Sequence, residues 1–179
     1  MKEDVKEILF SEEVLRKRVK ELAVQISSDY KGKELVVVGI LKGSVVFTAE
    51  LIKDIDIYCE LDFMAVSSYG NSTETTGVVR ILKDLDNSIE GKHILIVEDI
   101  VDTGTTLSYL LKYLKARKAA SIEIVALLNK PARRKVELPV KYIGFEVPDA
   151  FIVGYGIDYA EKYRNLPYIG ILKPEIYEK

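Results

Sequence analysis

An α/β fold, with a mainly parallel twisted sheet flanked by helices, is predicted by three observations. Apolar runs such as Leu35–Leu41 and residues 94–97 read as strands buried on both faces of a sheet. These runs alternate with segments whose apolar residues recur at helical spacing. Small and polar residues collect directly after them, where a parallel sheet opens its ligand crevice. With 179 residues and 48% hydrophobic content the chain can bury one substantial core, so residues 1–179 are expected to form a single domain.

Taken in order, Ser11 is an N-cap before Glu12 and Glu13, acids suited to a first helical turn. Leu15, Val19, Leu22 and Ile26 then mark an amphipathic helix over 12–28, closed by Gly32. A buried strand at Leu35–Leu41 leads to a helix opened by Gly43 and carrying Val46, Phe47, Leu51 and Ile52. A third strand is expected over about 58–67. The polar stretch 68–77 has loop composition and leads into an antiparallel strand at 78–82. A strand over 93–100 precedes a helix from Thr105 to about Arg117, with Leu107, Leu110, Leu111 and Leu114 on one face. Further strands are expected at 122–128, 140–147, 151–155 and 168–172.

The net charge of −2 excludes a generic nucleic-acid binder. An acidic protein that binds a polyphosphate must gather cations locally, and Lys42, Lys130, Arg133, Arg134 and Arg164 are the candidates. The single cysteine, Cys59, excludes an intrachain disulfide, suits a reducing cytosol and is expected to pack as a small hydrophobe. No apolar stretch approaches membrane-spanning length and the first residues are charged, so a soluble cytoplasmic protein without a membrane partner is expected. Few Asn and Gln beside abundant Glu, Lys, Ile, Val and Tyr lean towards a thermophile.

The segment from Ile94 to Leu107 carries the most chemistry. Its apolar run ends in Glu98 and Asp99, followed by Asp102, Thr103, Gly104, Thr105 and Thr106 at the start of a helix. Small side chains, hydroxyls and consecutive N–H groups at a helix N-terminus make a cradle for a phosphate monoester. Glu98 and Asp99 would repel that phosphate, so they are expected to face sugar hydroxyls or a magnesium ion. A plain alternative is a helix capped by Asp102, with the acids complementing its dipole.

An acidic pair followed by Asp-Thr-Gly-Thr-Thr resembles the phosphoribosyl-diphosphate motif of the type I phosphoribosyltransferases. The turn Gly39–Ser44 has neither Walker nor dinucleotide-fingerprint spacing. Its Leu41-Lys-Gly-Ser44 is similar to the diphosphate-binding loop of the purine phosphoribosyltransferases, which implies a cis peptide between Leu41 and Lys42. Lys130, at the end of a buried strand and before Pro131, matches the lysine that donates to a purine 6-oxo group in those enzymes. The segment from Phe151 to Arg164 also resembles the family, with an aromatic ring over the purine, backbone groups at its edge, an aspartate near the metal and an arginine on the diphosphate. Over nearly its whole length the chain resembles the bacterial hypoxanthine-guanine phosphoribosyltransferases, whose fold adds a small hood built from terminal segments.

That resemblance implies a purine-salvage reaction. Hypoxanthine or guanine would join 5-phosphoribosyl 1-diphosphate, with Mg²⁺, to give IMP or GMP plus diphosphate. Asp102 would be the general base; Glu98, Asp99 and Asp102–Thr106 would hold the phosphoribosyl group; Lys42, Gly43 and Arg164 the diphosphate; Lys130, Phe151, Ile152 and Asp158 the purine; and Glu98, Asp99 and Asp158 the metal. Ser68 and Tyr69 would belong to a flexible lid over 68–77, and the assembly would be a homodimer or homotetramer. Some relatives carry a lysine where Thr105 stands, which leaves phosphate binding here to N–H and hydroxyl groups. Arg133 and Arg134 are assigned either to the diphosphate or to the surface. His93 lies at the wrong end of its strand for the crevice and is read as structural. Two other activities fit the same residues less closely: xanthine or another nucleobase as acceptor, and a nucleotide-sensing regulator. The latter would be expected to lose Asp102 or add a basic surface.

Overall fold

A computed structural model describes residues 1–69 and 78–178. The elements run β1 (Val5–Phe10), α1 (Glu12–Asp29), β2 (Leu35–Leu41), α2 (Val45–Asp54), β3 (Cys59–Tyr69), β4 (Val78–Lys83), β5 (His93–Val101), α3 (Thr105–Lys115), β6 (Ser121–Asn129), β7 (Val140–Glu146), β8 (Ile152–Val153), β9 (Ile169–Leu172) and α4 (Pro174–Tyr177). The larger sheet has the order β4-β3-β2-β5-β6-β7. Its pairs are parallel except β3 with β4.

Strand alternation explains the layering. Val37, Leu95, Val97, Val125 and Leu127 pack in one cluster with Leu15, Val19, Leu22 and Ile26 of α1 and Phe47 and Leu51 of α2. Val36, Val38, Ile94, Ile96, Ile124 and Ala126 pack on the other face with Leu107, Leu110, Leu111 and Leu114 of α3. Both faces are covered, which is why these strands read as continuous apolar runs. Ser11 caps α1 by accepting the Val14 N–H at 3.3 Å. Cys59 is a free, half-buried thiol packed against the first cluster. His93 stands at the start of β5, with Nδ1 2.7 Å from the Ser121 hydroxyl.

Strand order reverses between β2 and β5. β3 follows on one side of that pair and β6 and β7 on the other. Their carboxyl ends, Leu41–Gly43 and Glu98–Gly104, therefore frame the crevice at a topological switch point.

The expected hood built from terminal segments is a separate three-stranded sheet, β1-β9-β8, with both pairs antiparallel; of the strand expected over 151–155 only Ile152–Val153 forms. The chain leaves β8 after Val153 because Gly154 (φ 101°), Tyr155 (φ 52°) and Gly156 (φ 101°) turn it aside. At Gly154 a Cβ would lie 2.0 Å from the Tyr168 carbonyl oxygen. Strand β1 escaped prediction because its middle residues, Lys6, Glu7 and Ile8, are all exposed and break any alternation. Helix α2 starts at Val45 rather than Gly43, since Gly43 stays in the turn, packed against Asp99.

Candidate active site

The β5–α3 turn carries the residues expected to cradle a phosphate. Gly104 has φ 83°, and a Cβ there would meet Leu138 Cδ1 at 2.9 Å and the Val136 carbonyl at 3.1 Å, so only glycine fits without displacement. The Thr103 carbonyl accepts the Lys135 and Val136 N–H groups at 2.9 and 3.2 Å. Arg134 adds a second tie: its Nε donates to the Asp102 carbonyl at 3.1 Å, and its guanidinium also reaches the Asn129 side chain and the Val101 carbonyl. Arg134 is thus the loop's staple. The resulting cavity, about 200 Å³, is lined by Glu98, Ile100, Val101, Asp102, Thr103, Gly104, Thr106 and Leu107. Thr105 begins α3 and hydrogen-bonds Thr103 at 3.4 Å.

Glu98 is buried, and burial together with the neighbouring Asp99 charge holds its carboxyl well above the usual range. Burial also pushes Asp99 up, although the Ile100 N–H donates to it at 2.8 Å and the Arg164 charge pulls the other way. Asp99 faces the β2 turn, so closely that a Cβ on Gly43 would fall 1.9 Å from its Oδ2. The Leu41–Lys42 peptide is cis, as the resemblance implies.

A second cavity, about 400 Å³, adjoins the first and shares Ile100 and Asp102 with it. Lys130, Arg133, Asp149, Ala150, Phe151, Ile152, Ile157 and Tyr177 complete its wall. Lys130 is buried, its Nζ donating to the Ala150 carbonyl at 2.9 Å, which leaves two of its three donors for a ligand. Phe151 is 37% exposed at the cavity and Ile152 is buried in β8. Asp102 Oδ2 lies 3.6 Å from Arg133, and its Oδ1 is buried with no hydrogen-bond partner.

The diphosphate and metal residues are arranged otherwise than expected. Lys42 Nζ pairs with Glu161 at 2.8 Å, and Glu161 also reaches Arg164 at 3.2 Å. Asp158 lines neither cavity. It pairs with Arg164 at 2.9 Å and accepts the Glu161 N–H at 2.9 Å. Glu98, Asp99 and Asp158 are therefore not gathered into one cage: among the described residues no group of three or more His, Cys, Asp or Glu is placed to hold a metal. The physical reason is local ion pairing, which keeps Asp158 on Arg164. Ser68 and Tyr69 are the last two positions of β3, and the rest of the expected lid, residues 70–77, lies outside the described residues. No helix among the described residues is long and apolar enough to cross a membrane.

Sequence reasoning missed Asp149, Ala150, Ile157, Tyr177 and Glu161. Asp149 and Ala150 directly precede the recognised Phe151 segment and could have been included with it. Tyr177 has no pattern signal, because it reaches the cavity only through the hood.

A family model described as "Phosphoribosyl transferase domain" matches residues 5–160. Hypoxanthine-guanine phosphoribosyltransferase of Bacillus subtilis is 58% identical over 178 residues, covering 99% of each chain. A crystal structure of a Staphylococcus aureus hypoxanthine phosphoribosyltransferase superposes with a TM-score of 0.97 at 56% identity, covering 100% of this chain and 97% of that one. The bifunctional protein TilS/HprT of Listeria innocua is 54% identical over 179 residues, which span 28% of its length. The chain belongs to the phosphoribosyl transferase family, in its hypoxanthine-guanine branch.

Proposed function

We propose that the two adjoining cavities receive the two halves of one reaction, the phosphoribosyl group in the smaller and a 6-oxopurine in the larger. The chain is a purine-salvage pentosyltransferase, joining hypoxanthine or guanine to 5-phosphoribosyl 1-diphosphate and forming IMP or GMP with release of diphosphate. The observation that carries the division of labour is Asp102, the acid that lines both cavities.

Residues 103–106 present N–H and hydroxyl groups to the 5′-phosphate, while Glu98 and Asp99 take the ribose hydroxyls. Phe151 stacks on the purine and the backbone of Ile152 meets its edge. Lys130 donates to the 6-oxo oxygen. The Asp102 carboxylate, 37% exposed, accepts the purine proton, from N7, as N9 bonds to C1′ and the C1′–O bond to diphosphate breaks. Lys42, Gly43 and Arg164 receive the diphosphate, the two cations exchanging Glu161 for it.

Burial holds Glu98 and Asp99 above their usual range, a cost that a divalent cation would reverse, so these residues fit Mg²⁺. Mg²⁺ binds through one or two carboxylates plus substrate oxygens, so a three-carboxylate cage is not required. Glu98 and Asp99 would hold it, Asp158 joining them only by leaving Arg164, and when bound it would supply positive charge to the leaving diphosphate. A cytoplasmic homodimer or homotetramer is the proposed form, checked by light scattering. The activity test is diphosphate release with hypoxanthine, guanine and xanthine, each with and without Mg²⁺. Turnover that needs a 6-oxopurine and Mg²⁺ is expected; metal-independent turnover or a preference for xanthine would overturn the corresponding part.

A further inference from the structure

Phe151 is the residue through which the proposed purine site reads a flat ring, yet it sits just before a strand only two residues long. A half-exposed ring in that position needs something to fix its plane. Tyr177 of α4 supplies it: the two rings stack with centroids 4.6 Å apart and planes 24° apart. Tyr159 meets Phe151 edge-on, at 5.1 Å and 86°.

The backbone fixes this pairing at both ends. The Leu172 N–H donates to the Phe151 carbonyl at 2.9 Å, so the chain leaving β9 starts from Phe151 itself. The Lys173 N–H donates to the Asp4 carbonyl at 2.9 Å, and the turn then closes through Ile176 N–H to Lys173 and Glu178 N–H to Pro174. Ile176 and Tyr177 pack on the hood cluster of Val153, Tyr163, Leu166 and Leu172. Five residues after Leu172 the chain thus returns an aromatic ring to Phe151, and Tyr177 lines the same cavity as Lys130 and Asp102.

We propose that Tyr177 is a positioning residue for the purine: it holds the Phe151 ring in the plane that receives the base, which makes α4 part of base recognition. The proposal rests on the reading of Phe151 as the purine's stacking partner. Because Tyr177 acts through Phe151 and lies away from the phosphate cradle, its effect should fall on the purine and spare phosphoribosyl diphosphate.

Steady-state kinetics on the full chain test this, with purine and phosphoribosyl diphosphate varied separately. Tyr177→Leu keeps apolar volume but removes the stacked ring; Tyr177→Phe restores the ring without the hydroxyl. The expected result for Tyr177→Leu is a purine KM raised about three- to tenfold, the range a stacked aromatic pair is worth. The KM for phosphoribosyl diphosphate and kcat should stay within about twofold, and Tyr177→Phe should behave like the original chain. An unchanged purine KM, equal rises in both KM values, or a fall in the purine KM (the ring then competing with the base) would each overturn the proposal. Phe151→Leu is the control for the underlying reading. If it leaves the purine KM unchanged, the stacking assignment of Phe151 fails, whatever Tyr177 does.

Discussion

Asp102 divides a cavity of about 200 Å³ from one of about 400 Å³, and their walls are assembled differently. The smaller is lined by residues 98–107 of one strand, turn and helix, with backbone ties from 135 and 136 and a single arginine staple. The larger draws on β5, the segment after β6, the residues before β8 and α4, and so depends on the hood sheet staying docked on the main one. A local cradle can keep its geometry while the base half is altered. On the proposed assignment of the cavities, the difference separates affinity for the phosphoribosyl group from choice of base.

The largest expected effect concerns the base half. Lys130 can only donate, which suits a 6-oxo group and opposes the 6-amino group of adenine with another donor. Sites built on such a buried polar contact discriminate by about 10⁴. Adenine should therefore be used about 10⁴-fold less efficiently than hypoxanthine in kcat/KM, measured by chromatography of the nucleotide product. Ready formation of AMP would dissolve the assignment of the larger cavity to oxopurines.

Next in size is the residue common to both halves. Asp102→Asn keeps the shape and removes the proton acceptor, so kcat should fall by about 10²-fold or more while IMP still binds. Stopped-flow turnover together with calorimetric titration of IMP would check it. If kcat is nearly normal, Asp102 is a divider between cavities and nothing more.

How far the two halves could be read before any coordinates follows from the same contrast. Glu98 to Thr106 were legible because one short segment holds both the chemistry and the fold signal, an apolar strand running into a small-residue turn. Lys130 and Phe151 were legible only by resemblance, since a lysine ending a strand or an aromatic before one has many uses. Tyr177 and the hood strand β1 were not legible at all. Their placement is decided by tertiary pairing of β1 with β9, which no local periodicity encodes. Arg134 illustrates the same limit: its charge suggested a phosphate, and its actual partners are carbonyls brought near by the β6 end.

A third prediction perturbs only the local half. Gly104→Ala forces a side chain into a left-handed conformation, a cost of about 1–2 kcal/mol, against Leu138 and the Val136 carbonyl. The KM for phosphoribosyl diphosphate should rise about tenfold, with the purine KM unchanged. Parallel rises in both would mean that the two halves are mechanically one.

The smallest expected effect is on stability and follows from Glu98. Its carboxyl is raised by burial, so over a range of pH the folded chain keeps a proton that the unfolded chain has released. Stability from this group is complete below the ordinary glutamate range and declines as pH rises towards the raised folded value; Asp99 shifts in the same direction. Glu98→Gln imitates the protonated form at every pH. Without divalent cation it should match the original chain near pH 4 and melt about 2–4 °C higher near pH 7.5, a shift that roughly 1 kcal/mol produces in a chain of this size. Adding Mg²⁺ with phosphoribosyl diphosphate should reverse the order, because a bound cation stabilises the charged carboxylate and has less to gain from the amide. Scanning calorimetry at the two pH values would decide it. A variant that melts lower at pH 7.5 without cation would mean that the Glu98 charge is already compensated within the fold, and the phosphate half would then owe its geometry to that charge as much as to its backbone.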